Sequence, residues 1–235
     1  PKDAAWLADD ERTWLAARLV AEEQQRKKAG HFSILEALVN RKVLALALVY
    51  FGAVSSNYGV GFFLPQIVKD FGLSNAMTGL ITAIPYVVGT VGMIWYGRRS
   101  DRKRERRGHV AVALAIAASG IAVSTLLDNP ALKMLALSVS AFGVFSSLPV
   151  FWTLPTAFLS GASAAAGIAV INSIGNLAGF TGPFAMGWIK DHTGSYAGGL
   201  LAIAGCATIA MAIVLVLGHD SRLERPPEAV ADPGD

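Results

Sequence analysis

Six long stretches of the chain have no charged residue in their interiors, and this pattern constrains the fold more than any other feature. A helix of about 20 residues crosses about 30 Å of hydrocarbon, whereas membrane-barrel strands are about ten residues long and alternate in polarity. The sequence therefore predicts an all-α membrane protein with six transmembrane helices. The predicted spans are Val43–Leu64, Ala76–Tyr96, His109–Leu127, Leu132–Trp152, Ala164–Ile189 and Ala197–Leu217.

The composition excludes two other classes of protein. Apolar residues make up 53% of the chain and charged residues 16%, and the mean hydropathy is +0.47. Soluble domains are about a quarter charged, and disordered chains combine low hydrophobicity with high net charge. The single cysteine, Cys206, forms no intrachain disulfide and argues against a cysteine-based metal cluster. We expect no metal, no cofactor and no enzymatic activity.

The distribution of Lys and Arg predicts the orientation in the membrane. These residues concentrate before the first span, in the loop that follows the second span, and in the tail, while the opposite loops carry only Lys69, Lys133 and Lys190. By the positive-inside tendency, both termini and the Arg-rich loop of this multi-pass protein are cytoplasmic. The basic loop could also be a nucleic-acid patch, but a topology signal fits a short loop better, with binding of anionic lipid as a compatible second role.

The sequence also predicts the structure of the segments outside the spans. Residues 1–41 contain an amphipathic helix from Asp9 to Lys28, which is either a solvated connector or a helix lying on the cytoplasmic membrane surface. The six-helix bundle occupies 42–218, and the Pro-containing tail, 219–235, is expected to be disordered. The chain begins with Pro1 and resembles a piece of something longer.

Polar residues inside the spans are the candidate binding residues. Polar groups in lipid are costly unless they face other helices or a cavity. Tyr50 and Asn57 are seven residues apart and share a helix face, Asn172 and Asn176 are one turn apart, and Trp152 lies between two prolines. Each also has a purely structural explanation, because such groups commonly join helices in membranes.

The interiors of the predicted spans contain no Asp, Glu, Lys, Arg or His. A proton-coupled carrier needs a titratable group near the middle of the membrane, and an anion carrier usually needs a cation there. If this protein transports anions, the charged groups of the binding site lie outside this chain. Gly175 and Gly179 form a small-xxx-small pattern for close helix packing, and Pro85 with Gly89 and Gly92 suits a kinked helix.

Several motifs resemble those of one transporter family. Gly97-Arg-Arg-Ser-Asp101-Arg102 resembles the cytoplasmic loop signature of the major facilitator superfamily, although Arg104 and Glu105 stand where that signature has a glycine after its basic pair. The runs 148–161, 165–180 and 191–195 resemble the anion:cation symporter branch, which includes tartrate and phthalate permeases of bacteria.

The resemblance implies a fold and an activity. It identifies the chain with the C-terminal six helices of a twelve-helix carrier of the bacterial cell inner membrane, which moves small organic anions (carboxylates) together with a cation, usually H+. The partners are then this anion, H+, the lipid bilayer and an N-terminal six-helix half, which supplies the ionic groups; no nucleic acid is involved. Alternatives are a non-transporting membrane sensor or scaffold, and a carrier formed by two copies of this chain.

The resemblance and the positions of the polar residues together lead to a hypothesis about residue roles. In an alternating-access carrier, the first, fourth and fifth spans line the path, and Asn57, Trp152, Asn172 and Asn176 contact the substrate, with Tyr50 a weaker candidate. A second group, Gly97, Asp101 and Arg102, forms a conformational latch at the cytoplasmic side, in which the carboxylate pairs with an arginine or a helix start in one state and releases it in the other.

Overall fold

The computed structural model describes residues 6–28, 39–159 and 161–217, and every regular element in these ranges is a helix. The predicted tail, 219–235, and residues 29–38 lie outside the described residues. The helices in chain order are α1 Asp9–Lys28, α2 Arg41–Lys69, α3 Asn75–Lys103, α4 Arg107–Thr125, α5 Pro130–Phe151, α6 Thr153–Phe158, α7 Gly161–Asn176, α8 Ala178–Thr193 and α9 Ala197–Val216.

Six helical segments in the described ranges are long and apolar enough to cross a membrane, which confirms the predicted fold class. Four are single helices, namely α2, α3, α4 and α9. The other two are composite: α5 continues into the short α6 as Pro130–Thr156, and α7 with α8 forms Ala164–Thr193. Each observed span overlaps the corresponding predicted one. The segment Asp9–Lys28 is helical, as α1.

Local sequence explains where several spans begin. Asn40 caps α2, because its side-chain oxygen accepts hydrogen bonds from the N–H groups of Lys42 at 2.9 Å and Val43 at 3.4 Å. Asn129 does the same at α5, accepting from Ala131 at 2.9 Å, and Pro130 follows it in the first helical position, which needs no N–H. Each cap satisfies donors that the helix itself leaves unpaired.

The bundle is organised around α2, which packs against α9, α7 and α8 and also touches α3 and α5. On the far side, α4 packs extensively against both α5 and α9. Buried apolar side chains form two clusters at opposite ends of the bundle. One joins the start of α2 to the start of α4 and the end of α5, and the other joins the end of α2 to the end of α4 and the start of α5.

Two spans are much less enclosed than the rest. In the most apolar stretch of α3, and likewise of α7–α8, 22% of the residues are buried, against 67% for the span that begins with α5. Large apolar side chains such as Leu80, Val87, Phe180 and Phe184 are exposed there. The bundle therefore has two extensive apolar faces that no described residue covers.

Candidate functional site

The fifth span is interrupted in its middle, between α7 and α8. Leu177 stands at the break, where its N–H donates to the carbonyl of Ile174 at 3.2 Å, a tighter turn than an α-helix makes. Asn176 is the last residue of α7, and its Nδ2 donates to both the backbone oxygen and the side-chain Oδ1 of Asn172, at 2.9 and 2.8 Å. The two predicted amides are thus held together, and both residues are exposed.

Aromatic rings from two helices lie beside these amides. Tyr50 of α2 stacks on Phe151, with ring centroids 5.2 Å apart, and meets Trp152 edge-on at 4.9 Å. The Tyr50 ring also packs against Gly175, the residue that precedes Asn176 in α7. Gly175 makes this arrangement possible, because a Cβ there would stand 2.9 Å from Cγ of Tyr50.

The structure therefore brings four of the five predicted binding residues into one group. We name it the aromatic–amide cluster, and it consists of Tyr50, Phe151, Trp152, Asn172 and Asn176. Its amides, phenol and indole N–H supply neutral donors and acceptors, and its rings supply flat apolar surface. This set can hydrogen-bond the hydroxyls or the carboxylate oxygens of a small solute, but it cannot neutralise a charge.

Asn57 lies apart from this cluster. It is two helical turns, or about 10 Å, along α2 from Tyr50, and it lines a small cavity between α2, α3 and α5 together with Tyr86 and Ser140. The cavity holds about 20 Å³, which is room for about one water molecule. Among the described residues, neither the Asn57 amide nor the fully buried Ser140 hydroxyl has a hydrogen-bond partner.

Sequence reasoning missed two aromatic residues beside the candidate positions. Phe151 stacks on Tyr50, and Tyr86 lines the Asn57 cavity, where its hydroxyl donates to the Gly61 carbonyl at 3.5 Å. For Phe151, the only available signal was its position next to Trp152 in a span with several serines. Tyr86 follows Pro85, which suggested a kinked helix and gave no sign of a contact between Tyr86 and α2.

The loop between α3 and α4 contains the predicted latch residues. The Asp101 carboxylate pairs with Arg106 at the start of α4, at 2.5 Å, and the same Arg106 nitrogen donates to the Ser100 hydroxyl at 3.3 Å. Arg102 is exposed and does not pair with Asp101. Gly97 has open space where a Cβ would stand. In this conformation the arginine that holds the carboxylate is therefore Arg106.

Two further residues shape the same loop. Arg104 adopts a left-handed backbone with φ +51°, at the position where the family signature has glycine. Glu105 accepts hydrogen bonds from the N–H groups of Gly108 and His109 at the start of α4, and from Nδ1 of His109. Burial acts to raise the pKa of the Glu105 carboxyl, but these hydrogen bonds outweigh burial and hold this pKa below its ordinary value.

The described residues contain no group of three or more His, Cys, Asp or Glu side chains that could hold a metal ion. The polar groups that the structure does bring together are amides, hydroxyls and aromatic rings inside the bundle, and charged side chains at its ends. Such an arrangement is typical of a binding path through a membrane protein.

Comparison with known proteins identifies the family of the chain. Residues 5–183 match the family model described as Major Facilitator Superfamily. The chain is 46% identical over 219 residues to a protein of Agrobacterium vitis named "Putative tartrate transporter", which covers 93% of this chain and 50% of that protein. It is 42% identical to the "Quinolone resistance transporter" of Acinetobacter baumannii, over 94% of this chain and 50% of the relative.

A third relative is the "Inner membrane transport protein RhmT" of Escherichia coli, which is 37% identical over 92% of this chain and 50% of its own length. The chain therefore belongs to the major facilitator superfamily, a family of transporters rather than enzymes. The names of these relatives are consistent with its anion:cation symporter branch. The chain spans about half the length of the curated relatives it matches.

Proposed function

We propose that the complete protein is a secondary active transporter that moves small organic carboxylates across the bacterial inner membrane by symport with H+. The observation that carries this proposal is the aromatic–amide cluster, which presents neutral hydrogen-bonding groups and flat rings inside a membrane bundle. The relatives named as tartrate transporters support a carboxylate as the substrate class.

The ionic part of the binding site lies, in this proposal, on a second six-helix half. Charged residues of the described spans lie near the span ends, as Lys69, Asp101 and Lys190 do. A carboxylate in the middle of the membrane needs a cation nearby, and coupling to H+ needs a titratable group. Two observations fit a second bundle. The chain has half the length of the curated relatives, and the faces of α3 and α7–α8 that no described residue covers could pack against that bundle.

The chain would be the C-terminal half, with both of its termini in the cytoplasm and residues 1–41 as the connecting loop between the halves. Alternating access then requires the two bundles to rock around the bound substrate. The pair between Asp101 and Arg106 is suited to act as the latch, because it links the end of α3 to the start of α4 through an ionic contact whose carboxylate is exposed. Such a contact is weak enough, at about 1 kcal/mol or less, to break in each cycle.

The proposal is tested by uptake in vesicles that contain the full-length carrier. We expect Asn176→Ala to weaken the apparent affinity for tartrate or a related carboxylate about tenfold, because one hydrogen bond to a charged group contributes about 1.5–3 kcal/mol. Ser119→Ala is the matched control, since Ser119 is exposed on α4 and its hydroxyl donates to its own helix at Ile116.

Proton coupling is tested in the same vesicles. Uptake should rise when the outside is made acidic and should collapse when a protonophore removes the gradient. Uptake that does not depend on the proton gradient would contradict symport with H+. Unchanged affinity in Asn176→Ala would remove the aromatic–amide cluster from the binding site, and absence of carboxylate uptake by the native protein would favour a sensor or scaffold.

A further inference from the structure

Four hydroxyl oxygens inside the bundle are closed off from solvent and have no hydrogen-bond partner among the described residues. They belong to Thr78, Thr82, Ser140 and Ser146. Buried polar groups in native proteins are almost always hydrogen-bonded, because an unpaired buried hydroxyl destabilises the fold. These four hydroxyls therefore require a partner that the described side chains do not supply.

All four hydroxyls lie along the buried face of α3. Thr78 and Thr82 belong to this face and are one helical turn apart. Ser140 of α5 lines the small Asn57 cavity, which two residues of α3 also line. The Ser146 oxygen of α5 lies 3.0 Å from the position that a Cβ at Gly92 of α3 would take. The unpaired hydroxyls thus follow the contact of α3 with its neighbours.

Burial in a helix does not by itself leave a serine unpaired in this protein. A serine in a helix can donate to a carbonyl three or four residues earlier. Ser138 and Ser147 of α5 are buried and do so, each at 2.7 Å. Ser56 of α2 is fully buried and donates to the Gly52 carbonyl at 3.1 Å. Ser140 lies on the same helix as the first two and lacks such a bond.

The Asn57 cavity is the place on this face where polar groups of three helices surround a space of ligand size. Its volume of about 20 Å³ is enough for one water-sized molecule. Ser140 and Ser56 are fully buried on its inner side, whereas Tyr86 is partly exposed. Asn57 of α2 and Tyr86 of α3 complete the polar part of the wall.

The chemistry of the wall fits a small neutral ligand that both donates and accepts hydrogen bonds. The Asn57 amide and the hydroxyls of Ser140 and Tyr86 can each do both. The residues that line the cavity carry no charge, whereas hard cations in proteins are usually held by carboxylates together with neutral oxygens. Buried water typically makes about three hydrogen bonds to groups that would otherwise be unpaired.

We propose that the Asn57 cavity is a binding site for one structural water molecule, shared by Ser140 of α5, Asn57 of α2 and Tyr86 of α3. The direct hydrogen bond here, from Tyr86 to the Gly61 carbonyl, is long at 3.5 Å, so the water is the stronger polar link between α3 and its neighbours. The site depends neither on the transported substrate nor on what covers the outer face of α3, because Ser140 lies inside the bundle.

Thermal unfolding of the purified protein in detergent tests the site, because the sign of the effect differs between a hydrated and a dry hydroxyl. Ser140→Ala removes one partner of the bound water, so we expect the unfolding temperature to fall by about 2–4 °C. In a dry cavity the same substitution removes an unpaired buried hydroxyl, and the unfolding temperature should rise. Ser138→Ala is the matched control on α5, since its hydroxyl bonds within its own helix, and its unfolding temperature should stay close to the native value.

Radiolytic footprinting of the native protein tests the water directly and does not depend on a variant. A short X-ray pulse converts bound water to hydroxyl radicals, which oxidise the side chains beside it. Val144 lines the cavity, and Val150 of the same helix lies in an apolar cluster; both are buried. We expect Val144 to be oxidised about tenfold faster, because an apolar cluster holds no water. The double variant Asn57→Leu and Ser140→Ala should remove this difference.

Three results would overturn the proposal. An unfolding temperature of Ser140→Ala no lower than that of Ser138→Ala would show a hydroxyl that is unpaired or bonded within its helix. Equal oxidation of Val144 and Val150 would show a dry cavity. Stabilisation of the native protein by sodium chloride relative to choline chloride, lost in Ser140→Ala, would show a cation in place of the water.

Discussion

Two kinds of helix contact occur in this bundle, and they differ in which atoms meet. Between α4 and α5, and between α2 and α9, glycines bring one backbone against another. A Cβ at Gly143 would lie 2.5 Å from the Ala113 carbonyl oxygen, and one at Gly52 would lie 2.7 Å from that of Cys206. The contacts made by α3 and α7–α8 are different, because Gly89, Gly92, Gly175 and Gly179 meet aromatic rings of a neighbouring helix before any backbone atom.

The rings involved come from α5 and α2. A Cβ at Gly89 would meet the ring of Phe145 at 2.6 Å, and one at Gly179 would meet the ring of Tyr58 at 3.1 Å. Backbone cannot move away without separating two helices, whereas a ring can rotate about its χ angles. The helices α3 and α7–α8 are also the least enclosed spans. The bundle thus has a rigid part (α2, α4, α5 and α9) and an adaptable part (α3 with α7–α8).

Gly143→Ala should have the largest effect, because it tests the rigid part. The new methyl group would overlap the backbone of Ala113 and Ala117 in α4, so α4 and α5 must separate. Overpacking of this kind costs about 3 kcal/mol. We expect a clear fall in the thermal unfolding temperature of the purified protein in detergent.

The control for this substitution is Gly205→Ala in α9, where nothing lies within 4 Å of the new Cβ. Alanine is the better helix former, so this variant should be as stable as the native protein or more stable by about 0.5 kcal/mol. Equal unfolding temperatures for the two variants would show that the contact between α4 and α5 adapts, and the distinction between the two parts would fail.

Gly175→Ala tests the adaptable part. Its Cβ would displace the ring of Tyr50 and leave backbone atoms in place. We expect the protein to remain folded, with a much smaller fall in unfolding temperature than Gly143→Ala shows. The apparent affinity for the transported carboxylate should weaken about tenfold, because the displaced Tyr50 hydroxyl would lose about one hydrogen bond to a charged group.

Gly179→Ala is the matched control, since it meets only the edge of Tyr58, which lies outside the aromatic–amide cluster. Its affinity should stay within about twofold of the native value. Should Gly175→Ala unfold the protein instead, α7 would belong to the rigid part. A folded Gly175→Ala variant with native affinity would show that Tyr50 is not part of the binding site.

Much of the fold was predictable, because lipid restricts the possibilities. An uncharged stretch of about 20 residues in a membrane protein must be helical, and this condition located all six spans. The same reasoning could not show that the fifth span breaks at Leu177, since Leu177 is apolar and neither glycine nor proline. On either side of the break, Gly175 and Gly179 contact Tyr50 and Tyr58 of α2, and such contacts between helices cannot be read from the sequence of the span alone.

The candidate site was predictable only in part, for a related reason. Helical spacing places Asn172 beside Asn176, and the structure has them hydrogen-bonded. Spacing also places Tyr50 and Asn57 on one face of α2, but it gives no information about the other helices that each residue meets. Tyr50 meets Trp152 of the fourth span, whereas Asn57 faces Tyr86 of α3.

Arg104→Gly examines the turn that joins α3 of the adaptable part to α4 of the rigid part. Arg104 has φ +51°, a left-handed conformation that costs an L-residue about 1–2 kcal/mol of steric strain and costs glycine none. Glycine is more flexible in the unfolded chain, so the net gain in stability should be about 0.5–1 kcal/mol. Differential scanning fluorimetry measures this gain in stability. Arg98→Gly is the control, and it should be less stable than the native protein because it places glycine in the body of α3. A destabilised Arg104→Gly would mean that the arginine side chain, and not the turn, determines stability here.

The smallest predicted effect concerns the pH dependence of the same turn. Because the pKa of Glu105 in the folded protein lies below its ordinary value, the carboxylate stabilises the fold at higher pH, and this contribution is lost as the pH falls through the lower, folded pKa. Glu105→Gln should therefore unfold at a lower temperature than the native protein at pH 6, and the two unfolding temperatures should converge as the pH falls below the lowered pKa of Glu105. The difference at pH 6 should be less than about 1 kcal/mol, since the Glu105 side chain is 39% exposed.

Gly205→Ala, which removes no titratable group, should keep a constant difference from the native protein across the same range. If the gap between Glu105→Gln and the native protein were also constant, the cap on α4 would not depend on the charge of Glu105.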